Sequence, residues 1–165
     1  MYKKEIERKW LVDVRSLPDL SKYKFDNIKQ AYLSQEHDSL EVRVRSINDK
    51  EFYLVIKDGG TKIRNEITYT ITKEEFEISF LLSGQKVIKK KRYYIPSSFD
   101  KSRILELDFI ENPQLVIVEY ETDNEILTDS IPKEKWFGEE VTEDIKYKNS
   151  QIAYNKASLT VNPYK

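Results

Sequence analysis

Apolar and polar residues alternate one for one along much of this chain. Eight segments carry the pattern, at 3-12, 27-34, 39-47, 51-58, 63-72, 86-95, 103-110 and 115-122. A period of two puts successive side chains on opposite faces of a strand. Turn residues separate several of the segments: Asn48-Asp49, Asp58-Gly59-Gly60, Ser97-Ser98 after Pro96, and Asn112-Pro113. Such short connections favour antiparallel neighbours. Helical spacing is rarer. Thr72-Lys73-Glu74-Glu75 has the form of a capping box, followed by Phe76, Phe80 and Leu81, with Gly84 as a stop. A second, short helix is predicted from Pro132 through Trp136-Phe137 to Gly138. A third is predicted over 149-159, with Ile152, Ala153, Ala157 and Leu159 in one apolar stripe. The expected fold is mainly β (α+β), one domain over 1-165, with eight strands sufficient to close a barrel.

The polar halves of these strands are unusual. Glu5, Glu7 and Lys9 oppose Ile6, Trp10 and Val12, and Glu41, Arg43 and Arg45 oppose Leu40, Val42 and Val44. Arg64 and Glu66 oppose Ile63 and Ile67, Glu106 and Asp108 oppose Leu105, Leu107 and Phe109, and Glu119 and Glu121 oppose Val116, Val118 and Tyr120. One reading is a half-buried sheet with a solvated outer face. Another follows from the segregation of paired carboxylates and paired cations by strand. Carboxylates two apart on a strand lie about 6 to 7 Å apart at Cα and can face one hard cation. Arginines or lysines at the same spacing suit successive phosphates. Gathered around one lumen, the two sets would neutralise each other and leave the apolar faces outward, under helices. In 86-95 the pattern is ambiguous, because Lys89 and Lys91 share one face and Lys90 and Arg92 the other.

Composition narrows the chemistry. Lys and Arg number 28 against 29 Asp and Glu, a net charge of -1, so the bulk charge gives no reason to expect nucleic acid or a membrane surface as partner. Without cysteine, and with His37 as the single histidine, disulfides, thiolate sites and multi-histidine zinc sites are excluded within one chain. Any metal should be hard and oxygen-bound. The charged N-terminal stretch and the absence of a long apolar run predict a cytoplasmic protein. His37 lies in "QEHDS", a predicted surface turn.

"EIERKWLV" has the form E-x-E-x-K and resembles the N-terminal motif of the CYTH superfamily, the triphosphate tunnel metalloenzymes. The likeness continues in order through "QAYLS", "VRVRS", "LVIKDGG", "RNEI", "KKKRYYIP", "LELDFI", "VEYE" and "VTEDIKYKNSQIA". It implies an eight-stranded antiparallel tunnel with a charged interior that binds a small-molecule triphosphate and one or two Mg²⁺ or Mn²⁺ ions. It implies Glu5, Glu7, Glu119 and Glu121 as metal carboxylates, with Glu106 and Asp108 beside them. Lys9, Arg43, Arg45, Lys57, Lys90, Arg92 and Lys146 would grip phosphates, and Lys9, Arg64 and Glu66 are the catalytic candidates. On this likeness Lys90 and Arg92 are the inward pair of their strand.

Two positions depart from the family pattern. Thr68 stands where many members carry a second acid, and Asp144-Ile145-Lys146-Tyr147 stands where Asp-Pro-Arg-Tyr is usual. The form of the first motif is closer to the bacterial tripolyphosphatase branch than to the adenylate cyclase branch. The expected activity is hydrolysis of inorganic tripolyphosphate to diphosphate and phosphate. Thiamine triphosphatase, class IV-type adenylate cyclase and a non-catalytic polyphosphate or nucleotide binder are the alternatives. Glu5, Glu7 or Lys9 could accept the proton of the attacking water. Apolar outer faces also suit pairing with a second copy, a homodimer. Arg8, on the apolar face, is expected to cover its stem and reach a surface acid.

Overall fold

The computed structural model describes residues 1–155. Nine strands form the sheet: β1 (Tyr2–Val12), β2 (Phe25–Tyr32), β3 (Glu41–Ile47), β4 (Glu51–Lys57), β5 (Ile63–Thr70), β6 (Val87–Pro96), β7 (Ile104–Ile110), β8 (Leu115–Thr122) and β9 (Phe137–Glu140). Their order is β5-β4-β3-β2-β6-β7-β8-β1-β9, and pairing of β5 with β1 closes the first eight into an antiparallel barrel. The eight strands expected from alternation are all present, displaced at their ends by no more than two residues. The hairpin between β3 and β4 turns over residues 48–50, with Asn48 and Asp49 at φ of 55° and 53° and the Lys50 amide donating to the Ile47 carbonyl at 3.0 Å.

Strand β1 closes the barrel. Its first half pairs with β5, from Tyr2↔Ile67 to Ile6↔Ile63, and residues 6 to 11 pair with β8, from Ile6↔Thr122 to Leu11↔Ile117. Its last residues pair with β9. This short ninth strand replaces the helix expected over Pro132–Gly138. Trp136 is buried and Phe137 stacks on Trp10 with ring centroids 4.6 Å apart. The aromatic pair is therefore anchored by the edge of β1 rather than by a helical turn.

Helix α1 (Lys73–Leu82) begins at the expected capping box, with both reciprocal bonds formed between Thr72 and Glu75. Phe76 is buried against Phe52, Val44 and Ala31, with Phe80 partly buried beside it. Leu81, expected on that stripe, is exposed instead. A second helix, α2 (Glu125–Asp129), was not expected; Asn124 caps it by accepting from the Ile126 and Leu127 amides. Helix α3 (Asn149–Tyr154) forms within the predicted third helix and buries Ile152 and Ala153. Ala157 and Leu159 lie outside the described residues. Among the described residues, no helix is long and apolar enough to cross a membrane.

Apolar side chains occupy both sides of the barrel wall. Outside, Trp10, Val12, Leu105, Leu107, Val116 and Val118 pack under Trp136, Ile131 and the segment carrying Leu17 and Leu20. Inside, at one end, Leu11, Tyr32, Ile88, Ile110, Leu115 and Ile117 cluster with Ile152 and Ala153 of α3. The inward parity is thus apolar over its last turns. The expectation of an apolar exterior holds, and an apolar plug inside one end adds to it.

Candidate active site: a charged barrel interior

Alternation carries Lys3, Glu5, Glu7 and Lys9 of β1 into the lumen, and the register sets what each one faces. Glu5 lies opposite Arg64 and Lys3 opposite Glu66, while Lys9 lies opposite Glu119. Arg92 lies opposite Asp108, and Lys57 opposite both Glu41 and Glu66. Directly opposed strand residues are near enough for their charges to attract or repel. Most inward positions therefore meet a complementary partner across the strand. Lys90 and Arg92 are the buried pair of β6, and Lys89 is exposed, which settles the ambiguous strand.

Two inward cross-strand pairs are like-charged: Glu106 with Glu119, and Glu7 with Glu121. Arg92 neutralises the first. Its NH2 lies 2.8 Å from Glu119, its Nε 2.7 Å from Asp108, and its NH1 donates to Glu106. Lys90 supports it by donating to Asp108 at 2.5 Å. The second pair gains Glu5 instead of a bridging cation. Carboxylate oxygens of Glu5, Glu7 and Glu121 all lie within 4.8 Å of one another.

The titration behaviour follows this geometry. Burial alone would raise the Glu5 carboxyl, yet Lys57 and Arg64 hold it well below the ordinary range. Lys57 Nζ sits 2.7 Å from both Glu5 oxygens and 2.9 Å from Glu66. Burial likewise opposes ionisation of Glu66, but Lys57 and Lys3 lower it to about 2. Glu121 goes the other way, raised to about 8 by burial and by the charges of Glu5 and Glu106. It is the least neutralised acid of the cluster, as a carboxyl beside like charges must be.

Lys9 is buried with its Nζ 3.0 Å from Glu119 and 3.2 Å from Glu7, and donates to the Tyr147 carbonyl at 3.2 Å. Burial favours its neutral form, yet Glu119 and Glu7 outweigh that and keep it above the ordinary lysine range. Arg64 reaches Glu5 at 3.3 Å, Glu7 at 3.6 Å and Glu41 at 3.7 Å. Arg43 donates to Glu41 at 3.2 Å. Arg45 has no carboxylate partner among the described residues, and its Nε is buried without a hydrogen-bond partner. Thr68 donates to Glu66 at 3.0 Å, so the hydroxyl at that departing position orients an acid rather than replacing one.

The structure thus gathers Glu5, Glu7, Lys9, Arg43, Arg45, Lys57, Arg64, Glu66, Lys90, Arg92, Glu106, Asp108, Glu119 and Glu121 around one interior. It does not bring in Lys146. That side chain is exposed, 3.1 Å from Asp144, because a single 3-10 turn over Ile145–Tyr147 points it to solvent. Lys148, two residues on, is the partly buried one: its Nζ donates to the Gly60 carbonyl at 2.7 Å, and Glu41, Arg64, Lys9 and Glu7 act on its charge. Gly60, at φ 122°, leaves no room for a Cβ, which would meet the Ile63 carbonyl at 2.6 Å. All the acids expected at a metal have cation partners, but Arg92 gathers Glu106, Asp108 and Glu119, whereas Glu5, Glu7 and Glu121 converge on one another with no single cation among the described residues bridging all three.

Sequence reasoning passed over Glu41, Asn149 and Lys3. Glu41 lay in the "LEVRVRS" alternation that pointed to Arg43 and Arg45, and Lys3 had the inward parity of Glu5. Asn149 had no such signal, since it reaches the interior from the first residue of α3. Free space within the charged interior is about 30 Å³, room for about two waters. An entering anion must therefore exchange partners with the internal ion pairs instead of filling an open hole. A larger hollow of about 710 Å³ lies outside the barrel beside Leu20, Tyr93 and Phe109, without convergent charge.

Comparison with known proteins agrees with this arrangement. An inorganic triphosphatase from Nitrosomonas europaea is 32% identical over 90% of this chain and 96% of its own length. One from Acetivibrio thermocellus is 37% identical over 98% of this chain and 96% of its own. This chain belongs to the CYTH superfamily, in its inorganic triphosphatase branch. The crystal structure of the inorganic triphosphatase NE1496 superposes on this CYTH barrel with a TM-score of 0.66 at 32% identity, covering 90% of this chain and 93% of the other. A putative adenylate cyclase from Bacillus halodurans shares the fold, at a TM-score of 0.60 and 18% identity over 81% of this chain and 95% of its own. No family model matches the chain.

Proposed function

We propose that this protein is a divalent-metal-dependent triphosphatase that hydrolyses inorganic tripolyphosphate to diphosphate and phosphate. The observation that carries the reading is the convergence of Glu5, Glu7 and Glu121 in an interior that also gathers Arg43, Arg45, Lys57, Arg64, Lys90 and Arg92. The curated relatives named inorganic triphosphatase support the same substrate. Three hard carboxylate donors are the ligand type that Mg²⁺ and Mn²⁺ take. Bound there, such an ion would neutralise phosphate charge and lower the pKa of a coordinated water.

The chain's own residues do the rest. Arg43, Arg45, Arg64, Lys57, Lys90 and Arg92 would take the phosphate oxygens, all but Arg45 exchanging a carboxylate for the polyanion. Arg45 is the readiest, having no acid to leave. Lys9, held as an ammonium by Glu7 and Glu119, would grip and orient phosphate, and Lys57 and Arg64 keep Glu5 a weak base, so acceptance of the water's proton falls to Glu7. The ion-paired lining holds these groups in place before substrate arrives and limits reorganisation during transfer.

Phosphate release from tripolyphosphate, ATP and thiamine triphosphate, each with Mg²⁺ and Mn²⁺, tests the proposal. Tripolyphosphate should turn over fastest, and chelation of the metal should stop it. Glu7→Gln should lower the rate about a hundredfold, with partial recovery at high metal. Tight tripolyphosphate binding without turnover of any of the three would overturn the hydrolase in favour of a binding protein.

A further inference from the structure

Lys3 is the first inward residue of β1 and stands just before the E-x-E-x-K motif. It faces Glu66 across β5, at 3.7 Å from Nζ to Oε1, and its Nζ donates to Glu121 on β8. Among the described residues it is the one cation within ion-pair distance of Glu121. Its side chain is 42% exposed, against 3% for Lys57 deeper in the lumen, so it sits at the mouth.

The Lys3 ammonium and a divalent ion would both draw on the Glu121 carboxylate. A single charge on a flexible four-carbon stem, half in water, is released at little cost. An ion bound to Glu5, Glu7 and Glu121 would also repel it. We propose that Lys3 is a resident counter-ion of the Glu5–Glu7–Glu121 cluster, which competes with the divalent cation and so sets the metal affinity of this site. This rests on the metal reading given above. Lys3 is a positioning residue that acts through Glu121: it holds that carboxylate at the cluster when metal is low, and swings out when metal binds.

Lys4 supplies the control. It carries the same charge one residue on, but faces outward and is exposed. Mn²⁺ binding is measured by electron paramagnetic resonance, without substrate, for the wild type, Lys3→Met and Lys4→Met. Lys3→Met should bind about fivefold tighter, the scale of one partly exposed ion pair. Lys4→Met should stay within about twofold, because screening weakens a charge acting only through space. In the wild type, saturating Mg²⁺ should raise the rate at which acetic anhydride modifies the Lys3 amine, mapped by mass spectrometry. Equal gains for both variants, or a Lys3 reactivity indifferent to metal, would overturn the competition alone. Absence of Mn²⁺ binding to all three proteins would overturn the metal reading itself, and the competition with it.

Discussion

The barrel interior has two zones built on the same strands with the same parity. At one end Leu11, Ile88, Ile110 and Ile117 meet Ile152 of α3; a few residues along, Lys9, Lys90, Asp108 and Glu119 take their places. Apolar packing holds the first zone together and ion pairing holds the second, so the two should fail differently. Removing an apolar side chain costs its transfer energy and leaves a cavity. Removing one charge from the other zone strands its partners, which is the larger penalty for a buried network.

Arg92→Met should therefore have the greatest effect. Among the described residues it leaves Glu106 without a cation and Asp108 and Glu119 with Lys90 and Lys9 alone, and denaturant unfolding should show a loss of about 4 kcal/mol. Ile152→Ala should lose about 3 kcal/mol in the same measurement. Its Mn²⁺ affinity should match that of the wild type, because the plug does not reach the acids; a fall in affinity would join the two zones. Arg8→Met, on the outer face, should cost least. Arg8 bonds Glu140 at 2.7 and 2.8 Å and lies over the Trp10 ring, but a partly exposed pair contributes under about 1 kcal/mol.

The charged zone was legible in the sequence because parity governs it. Glu5, Glu7, Arg43, Arg45, Glu66, Glu106, Asp108, Glu119 and Glu121 stood out as alternating charges, and the structure places them all inside. The apolar plug was not legible. "LVIV" is a continuous apolar run, and Leu115 and Ile117 share it with Val116, so neither face is marked. A strand that loses its alternation at one end is buried on both faces there, and that was the available clue. Strand β9 could not be read either, since four residues gain their strand character only by pairing with β1. Lys146 was misplaced because a 3-10 turn has no parity to read, and it is Lys148, two residues on, that is partly buried. Arg8 was legible, as an arginine on an apolar face has few ways to satisfy its head.

The pairing of β1 with β5, β8 and β9 also bears on how the molecule assembles. The cluster's first two acids lie on β1, whereas the third waits for β8, and 118 positions separate Lys3 from Glu121. Closing contacts of such long range are slow, because the chain loses loop entropy before the pairing repays it. During synthesis β1 emerges before β5, β8 and β9 and must stay unpaired while the intervening strands are made. Its alternating charges then act as a guard, keeping an open strand edge from joining other chains until its own partners arrive.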